Sequence, residues 1–404
     1  MQQRVRGSES GLRRHRKARL SKPSAWLCAY VAQHGATVGA RFADYYEDLQ
    51  RLPRYLRRAL QRQWRYSLAG IAFVLALGVG PAQATVMCNP TVSCGDVEGL
   101  ITAINNANSE PDDEVEGDCP GANTITLGPG ANCTFTLTEV GSYSSGPNGL
   151  PSISSEIIIV GNGSTITRST VTGTPDFRIF RVRHNGNLTL QNLTLSNGIA
   201  PTAEGSYSGG GVLNNGILTL DHCTISGNSA AGDGGGVSNT GTLMVTNTSI
   251  ISGNRASYNG GGVYNDDTLT VTDSTISGNS AAGDGGGVYN EGYAGIEGFF
   301  PSTVTLTNST ISNNTASYGG GVFNSDPSTV TLTNSLLLSN SATSRGGGVS
   351  NYGTVALTNS TITGNSAPLG GESLTIKGRW QRLPARSPAT EPILVAGSLI
   401  IAEA

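Results

Sequence analysis

Seven aspartates lie along the most regular part of this 404-residue chain: Asp221, Asp233, Asp266, Asp267, Asp273, Asp284 and Asp326. Only Asp266 and Asp267 are adjacent. Lysis or hydrolysis of a polysaccharide needs clustered carboxylates, to hold calcium or pass a proton, and a basic group near the scissile bond. Basic groups are scarce here. Residues 209–371 offer Arg255 and Arg345, Lys377 is the single lysine after residue 84, and His184 and His222 are the two histidines there. The Asp266 and Asp267 pair falls in a short turn between Asn265 and Thr268, where aspartate serves turn geometry and stays solvated. His222 takes a place held elsewhere by the outward Asn308 and Asn334, as a surface substitution would. Gly232-Asp233-Gly234 and Gly283-Asp284-Gly285 look like pieces of calcium-binding glycine repeats but lack their roughly nine-residue period. The expectation is no catalytic set, no metal site and no cofactor.

Contact chemistry is better represented. Tyr264, Tyr289 and Phe323 occupy one position in successive repeats of a short motif, in a column completed by Leu213, Ser238 and Ser350. A sugar ring could stack there, or the rings could form a ladder that only supports a sheet. A ten-residue insertion from Tyr293 to Ser302 brings Phe299 and Phe300 beside that column, as a partner contact or as a flap.

The positioning element is a repeat. Gly209-Gly210-Gly211-Val212-Leu213-Asn214 returns with its valine at 237, 263, 288, 322 and 349, spacings of 25, 26, 25, 34 and 27 residues. Such a period belongs to a stacked solenoid, in which equivalent positions lie above one another. One repeat reads Thr-Leu-Thr-Val-Thr (268–272), Ser-Thr-Ile-Ser-Gly-Asn (274–279), a small turn, then Gly-Gly-Gly-Val-Tyr-Asn (285–290). Three short strands and three corners per coil are expected. Alternation sends Leu269 and Val271 inward and the threonines outward. Ile225, Ile251, Ile276, Ile311, Leu337 and Ile362 form a second apolar column, and the valines form a third. Asparagines at 214, 239, 265, 290, 324 and 351, and at 228, 254, 279, 314, 340 and 365, are read as left-handed corners able to bond into ladders. Cys223 fills a slot held by Ser274, Ser309 and Ser360, which places a lone thiol inward. Less regular coils are expected from residue 123, and a capping helix over 96–107 behind Asp96.

Charge divides the chain. Residues 1–84 hold 15 of the 25 Lys and Arg but four of the 28 acidic residues, leaving 10 basic against 24 acidic beyond. An acidic body without basic stripes argues against a nucleic-acid partner. Arg62 and Arg65 precede the apolar run 67–80, and Ala82-Gln83-Ala84 follows with a small-x-small pattern, so a signal segment cut after Ala84 is expected, with a single membrane anchor as the alternative. Contact with a membrane would run through that segment. The divisions are 1–66, a basic extension, disordered or helical; 67–84, the signal region; 85–122, a cysteine-containing cap; 123–371, the solenoid; and 372–404, an aberrant or disordered tail where the repeat stops mid-coil. Cys88, Cys94, Cys119 and Cys133 cluster near the start of the exported part, as disulfide-forming residues of secreted proteins do. Four cysteines allow three pairings. Proximity in sequence favours Cys88 with Cys94 and Cys119 with Cys133.

Cys88, Cys94 and the run Gly95-Asp-Val-Glu-Gly-Leu-Ile-Thr-Ala-Ile-Asn-Asn-Ala-Asn108 resemble the cysteine-headed N-terminal module of exported bacterial right-handed parallel β-helix proteins. Gly149-Leu-Pro151, Ile157 to Gly163, Phe177-Arg-Ile-Phe180 and the Gly-Gly-Gly-Val-x-Asn repeats continue the likeness, which extends over residues 86–371 and is also similar to polymorphic outer-membrane protein repeats. Gly95-Asp-Val-Glu-Gly-Leu-Ile101 departs from the module's usual Ser-Leu-Arg-Glu-Ala-Ile while keeping a helix. The resemblance implies an all-β, right-handed, pectate-lyase-like parallel β-helix with an N-terminal capping helix, secreted or at the surface of a bacterium, and implies no single activity. Adhesion by glycan or protein contact is the leading expectation. A polysaccharide lyase or hydrolase relative, or a fragment of a larger surface protein, are the alternatives.

Overall fold

A computed structural model describes residues 89–109, 123–128, 132–202, 207–295 and 298–368, with three short strands at Thr375–Ile376, Leu394–Val395 and Ser398–Leu399. The proposed extension and signal region, Cys88 and Cys119 lie outside the described residues. The chain winds as a parallel β-solenoid of about eight turns.

Each regular coil has four strands rather than three. Thr268–Thr272, Thr275–Ser277, Ser280–Ala281 and Val288–Asn290 make one circuit. The extra strand is the two-residue Ser-Ala piece read from sequence as a small turn; it is too short to show alternation, yet Ala230, Ala256, Ala281, Ala316 and Ala342 stack as a buried column. The first two strand types share a 17-stranded sheet, the Ser-Ala strands make a six-stranded sheet, and the Gly-Val-x-Asn strands an eight-stranded one. Register is one for one: Val263 pairs with Val288 and Val288 with Val322, while Leu269 pairs with Val304 and Val304 with Val330. The inward Leu, Val and Ile columns are at most 6% exposed, apart from the half-buried Leu357 at the last coil, and merge into one narrow core.

Left-handed backbone falls on other residues than those expected. The two inner asparagine columns are buried and do not have positive φ. The corner between the first two strands is turned instead by Asn192, His222, Asn247, Asp273, Asn308, Asn334 and Asn359, with φ of 49–53°. Asparagine and aspartate tolerate this region because a short polar side chain bonds locally. The first glycine of each triplet also has positive φ, 60–72°. The second has a different constraint: a Cβ on Gly261 would lie 2.5 Å from the Gly286 carbonyl oxygen of the next coil. Close approach of backbones fixes glycine there.

Freed from the corners, the asparagines face inward and form two ladders. From Asn228 through Asn254, Asn279, Asn314 and Asn340, each donates Nδ2 to the Oδ1 of the next at 2.9–3.0 Å, and Asn365 ends the row by donating to the Leu337 and Thr363 carbonyls. The other Nδ2 hydrogen reaches a carbonyl of the preceding coil, as from Asn279 to Ile251 at 2.9 Å, and each Oδ1 also accepts a backbone N–H, as from Asn254 to Asn279 at 2.9 Å. The second ladder, Asn214 through Asn351, links its members at 2.6–2.8 Å. Every amide in the run is used, which makes these groups tolerable in an apolar shaft.

A single described helix, α1, spans Val97–Ser109. Asp96 Oδ1 accepts the Gly99 N–H at 2.8 Å as its N-cap. Leu100, Ala103, Ile104 and Ala107 recur at helical spacing and are buried against the first strands, so the helix covers the apolar end of the core.

The disulfide expectation is corrected: Cys94 bonds to Cys133, with Cα atoms 5.2 Å apart. Cys94 precedes α1 while Cys133 opens the strand Thr134–Leu137, and coil closure brings these distant positions together, with Gly95 beside the Thr134 carbonyl. Sequence proximity misleads because nearest neighbours in a solenoid are one coil apart. The insertion is also more ordered than a loop: Tyr293–Gly295 and Gly298–Phe300 pair antiparallel, Ala294 opposite Phe299. At the far end Thr375–Ile376 adds to the Gly-Val-x-Asn sheet beside Val349–Asn351.

Candidate functional site

The outer face of the Gly-Val-x-Asn sheet gathers the residues with contact chemistry. In-register pairing places Tyr264 beside Tyr289 and Tyr289 beside Phe323. Ring centroids lie 5.6 and 5.0 Å apart, with planes within 3° and 1° of parallel. Tyr352 ends the stack, 5.5 Å from Phe323 and tilted by 38°. Its position after the repeat's asparagine breaks the column spacing, so no periodic signal marks it in the sequence. Leu213, Ser238 and Phe323 are buried, Tyr264 and Tyr289 half-buried.

The stack determines how a ligand could meet it. Inner ring faces are covered by neighbouring rings, so the column offers edges and phenol oxygens to solvent. Edges carry the positive part of the ring quadrupole and suit acceptor groups. A sugar laid flat on the ring faces, as the column alone would suggest, finds them occupied between Tyr264 and Phe323.

Carboxylates border the rings. Burial pushes the Asp233 and Asp284 carboxyls above the usual carboxylate range, against the Asn259 hydrogen bonds to the first and the Tyr318 backbone bond to the second. Glu291 is raised by burial and by Asp233. The Tyr289 phenol is pushed up to about 12 by burial, then by the charges of Asp284 and Asp233. This wall therefore combines phenols that stay protonated with carboxyls that hold protons more readily than free ones.

The remaining candidates are scattered. Asp266 and Asp267 are both exposed at their turn, and Asp266 is raised by partial desolvation and by its neighbour. His222 lies on the corner between other strands, its Nδ1 2.7 Å from Asp221 Oδ1. Burial raises Asp221, but hydrogen bonds from Asn247, His222 and Gln191 and the His222 charge outweigh it and leave the carboxyl below its ordinary range. Cys223 is buried, its Sγ 3.1 Å from the Leu190 carbonyl oxygen, and burial pushes the thiol up to about 12. Phe300 is exposed; the Phe299 side chain lies outside the described residues. Among the described residues no group of three or more His, Cys, Asp or Glu side chains is placed to hold a metal ion, and no helix is long and apolar enough to cross a membrane.

Two segments, residues 222–240 and 273–291, match the family model of the Chlamydia polymorphic membrane protein repeat. Each takes in a corner, the inward isoleucine and a Gly-Gly-Gly-Val-x-Asn strand, so the likeness falls on the parts that build the coil. No curated protein and no solved structure matches the chain. The matched repeats and the solenoid fit a surface-exposed protein at the outer membrane or cell surface of a bacterium.

Proposed function

We propose that this chain is a non-catalytic β-helix that makes adhesive contacts with a surface glycan or protein through its Gly-Val-x-Asn wall. The observation that supports this reading is the in-register stack Tyr264, Tyr289 and Phe323, bordered by Asp233, Asp284 and Glu291. Rigid rings cost little conformational entropy on binding, and phenol and carboxyl oxygens at their margin supply polar contacts. The Tyr293–Phe300 hairpin, with Phe300 exposed, extends the surface available to a partner.

Serine stands naturally in this column at 238 and 350, so Tyr264→Ser and Tyr289→Ser preserve the coil. Binding of the full chain to glycan arrays and to host-cell surfaces is expected to fall sharply in the double variant. Unchanged binding would remove the wall from the account. Metal-dependent cleavage of an acidic or neutral polysaccharide, lost in Asp266→Ala and Asp267→Ala, would replace adhesion with catalysis.

A further inference from the structure

A different wall carries an array that the aromatic column does not explain. Thr268, Thr270 and Thr272 pair in register with Thr303, Thr305 and Thr307, and these with Thr329, Thr331 and Thr333. The outer columns continue to Thr242 on one side and to Thr354 and Thr358 on the other, while Met244 and Ala356 end the central one. Between the threonines, Leu269, Val271, Val304, Leu306, Val330 and Leu332 point into the core. Strict alternation therefore directs every hydroxyl and methyl of the nine outward.

Three properties separate this patch from an ordinary solvated sheet. First, it is uncharged; Asp267 and Asp273, the carboxylates that flank Thr268–Thr272 in sequence, lie beyond the strand ends. Second, among the described residues the hydroxyls of Thr270, Thr272, Thr303, Thr305, Thr307, Thr329, Thr331 and Thr333 have no hydrogen-bond partner in the protein. Third, the register across the wall is unbroken, and the two inner asparagine ladders tie its coils together at 2.6–3.0 Å. Adjacent strands ordinarily rotate by about 20–25°, and sheets flatter than that are held by side-chain ladders of the kind the inner asparagines form.

An in-register array of this kind is a rectangular net. Its short edge is the strand separation, about 4.8 Å, and its long edge the two-residue rise, about 6.7 Å. From Thr242 to Thr354 the net runs four separations, roughly 19 Å, and across three columns about 13 Å. Prism planes of hexagonal ice present a rectangular net of oxygen sites with edges close to these two lengths.

We propose that this threonine wall is an ice-binding face. Waters held by the hydroxyls occupy lattice positions of the crystal, and the methyls seat in the spaces between them. A charged side chain here would order water about itself and break the register, which fits the absence of charge inside the patch. The face lies on another sheet from the aromatic column, so it stands or falls independently of adhesion.

Nanolitre osmometry and ice-recrystallisation assays on the full chain test it. The wild-type protein is expected to facet ice crystals and to open a gap between melting and freezing that widens with protein concentration. Thr305→Lys, at the centre of the net, is expected to abolish the gap with an unchanged far-UV spectrum, and Thr305→Leu repeats the test without a charge. Val171→Lys, at an exposed turn residue outside the net, is expected to keep the gap. Rounded crystals and no gap with folded wild-type protein would overturn the proposal, as would a full gap in both Thr305 variants.

Discussion

Asn279→Ala probes what the inner ladder contributes. The Asn279 side chain is 1% exposed and joins three coils. Its Nδ2 donates to the Ile251 carbonyl at 2.9 Å and to Asn314 Oδ1 at 3.0 Å, while its Oδ1 accepts both the backbone N–H and the Nδ2 of Asn254 at 2.9 and 3.0 Å. Truncation strands two N–H groups of Asn254, whereas the Ile251 carbonyl keeps its place in the parallel ladder with Thr275–Ser277 and Asn314 Oδ1 keeps the Asn279 backbone N–H. At roughly 1–3 kcal/mol for each of these two buried groups left without a partner, the loss is about 2–6 kcal/mol. Asn308→Ala is the matched control, since that asparagine is exposed and its φ of 51° sets the main penalty, about 1–2 kcal/mol for an L-residue in left-handed backbone. Urea unfolding gives the energies. Because a solenoid need not unfold in one step, hydrogen exchange across residues 250–290 locates the damage. A cost for Asn279→Ala below about 1 kcal/mol, or no greater than for Asn308→Ala, would refute the view that the ladder stabilises the shaft.

Three further outcomes follow from the same geometry. Non-reducing peptide mapping is expected to recover Cys94 linked to Cys133, and Cys133→Ser should cost about 4 kcal/mol by the loop-closure estimate for a separation of 39 residues; a Cys88–Cys94 peptide would contradict this register. The Cys223 thiol, raised to about 12 and buried, should resist iodoacetamide at pH 8 until the chain unfolds, whereas alkylation of folded protein would contradict its placement; Cys223→Ser should change stability by under about 1 kcal/mol, since serine fills the same slot in other coils. Asp233, Asp284 and Glu291 have raised folded pKa values, so the folded state holds their protons more tightly, and their contribution is present in acid and lost as pH climbs through those values. Asp233→Asn with Asp284→Asn is therefore expected to raise the melting temperature at pH 7 more than at pH 4, and an equal shift at both would contradict the burial argument.

What was legible in the sequence is what repeats. The valine, leucine and isoleucine columns follow from counting, because a side chain that must stack inward cannot drift in phase. The capping helix showed itself through Asp96 and the spacing of Val97, Leu100, Ile101 and Ile104, of which Leu100 and Ile104 are buried. Features fixed by contact between coils were not readable. Cys94 meets Cys133 only once the first coil closes. The asparagine columns carried the right residue for two roles, corner or ladder, and only the direction of the side chain decides between them. The Ser-Ala strands are too short for alternation to mark them. The aromatic column was visible, but not that its rings cover one another's faces or that Tyr352 closes the row.

The central claim is that each coil lies directly above the last. Thr242 and Thr354 are 112 residues apart in the chain but four strand separations apart along the solenoid. Spin labels at these two positions, measured by pulsed electron resonance in the full chain, should give one narrow distance near 20 Å, four times the parallel spacing of about 4.8 Å. A broad distribution, or a separation of about 40 Å or more, would mean that the windings do not stack in this register.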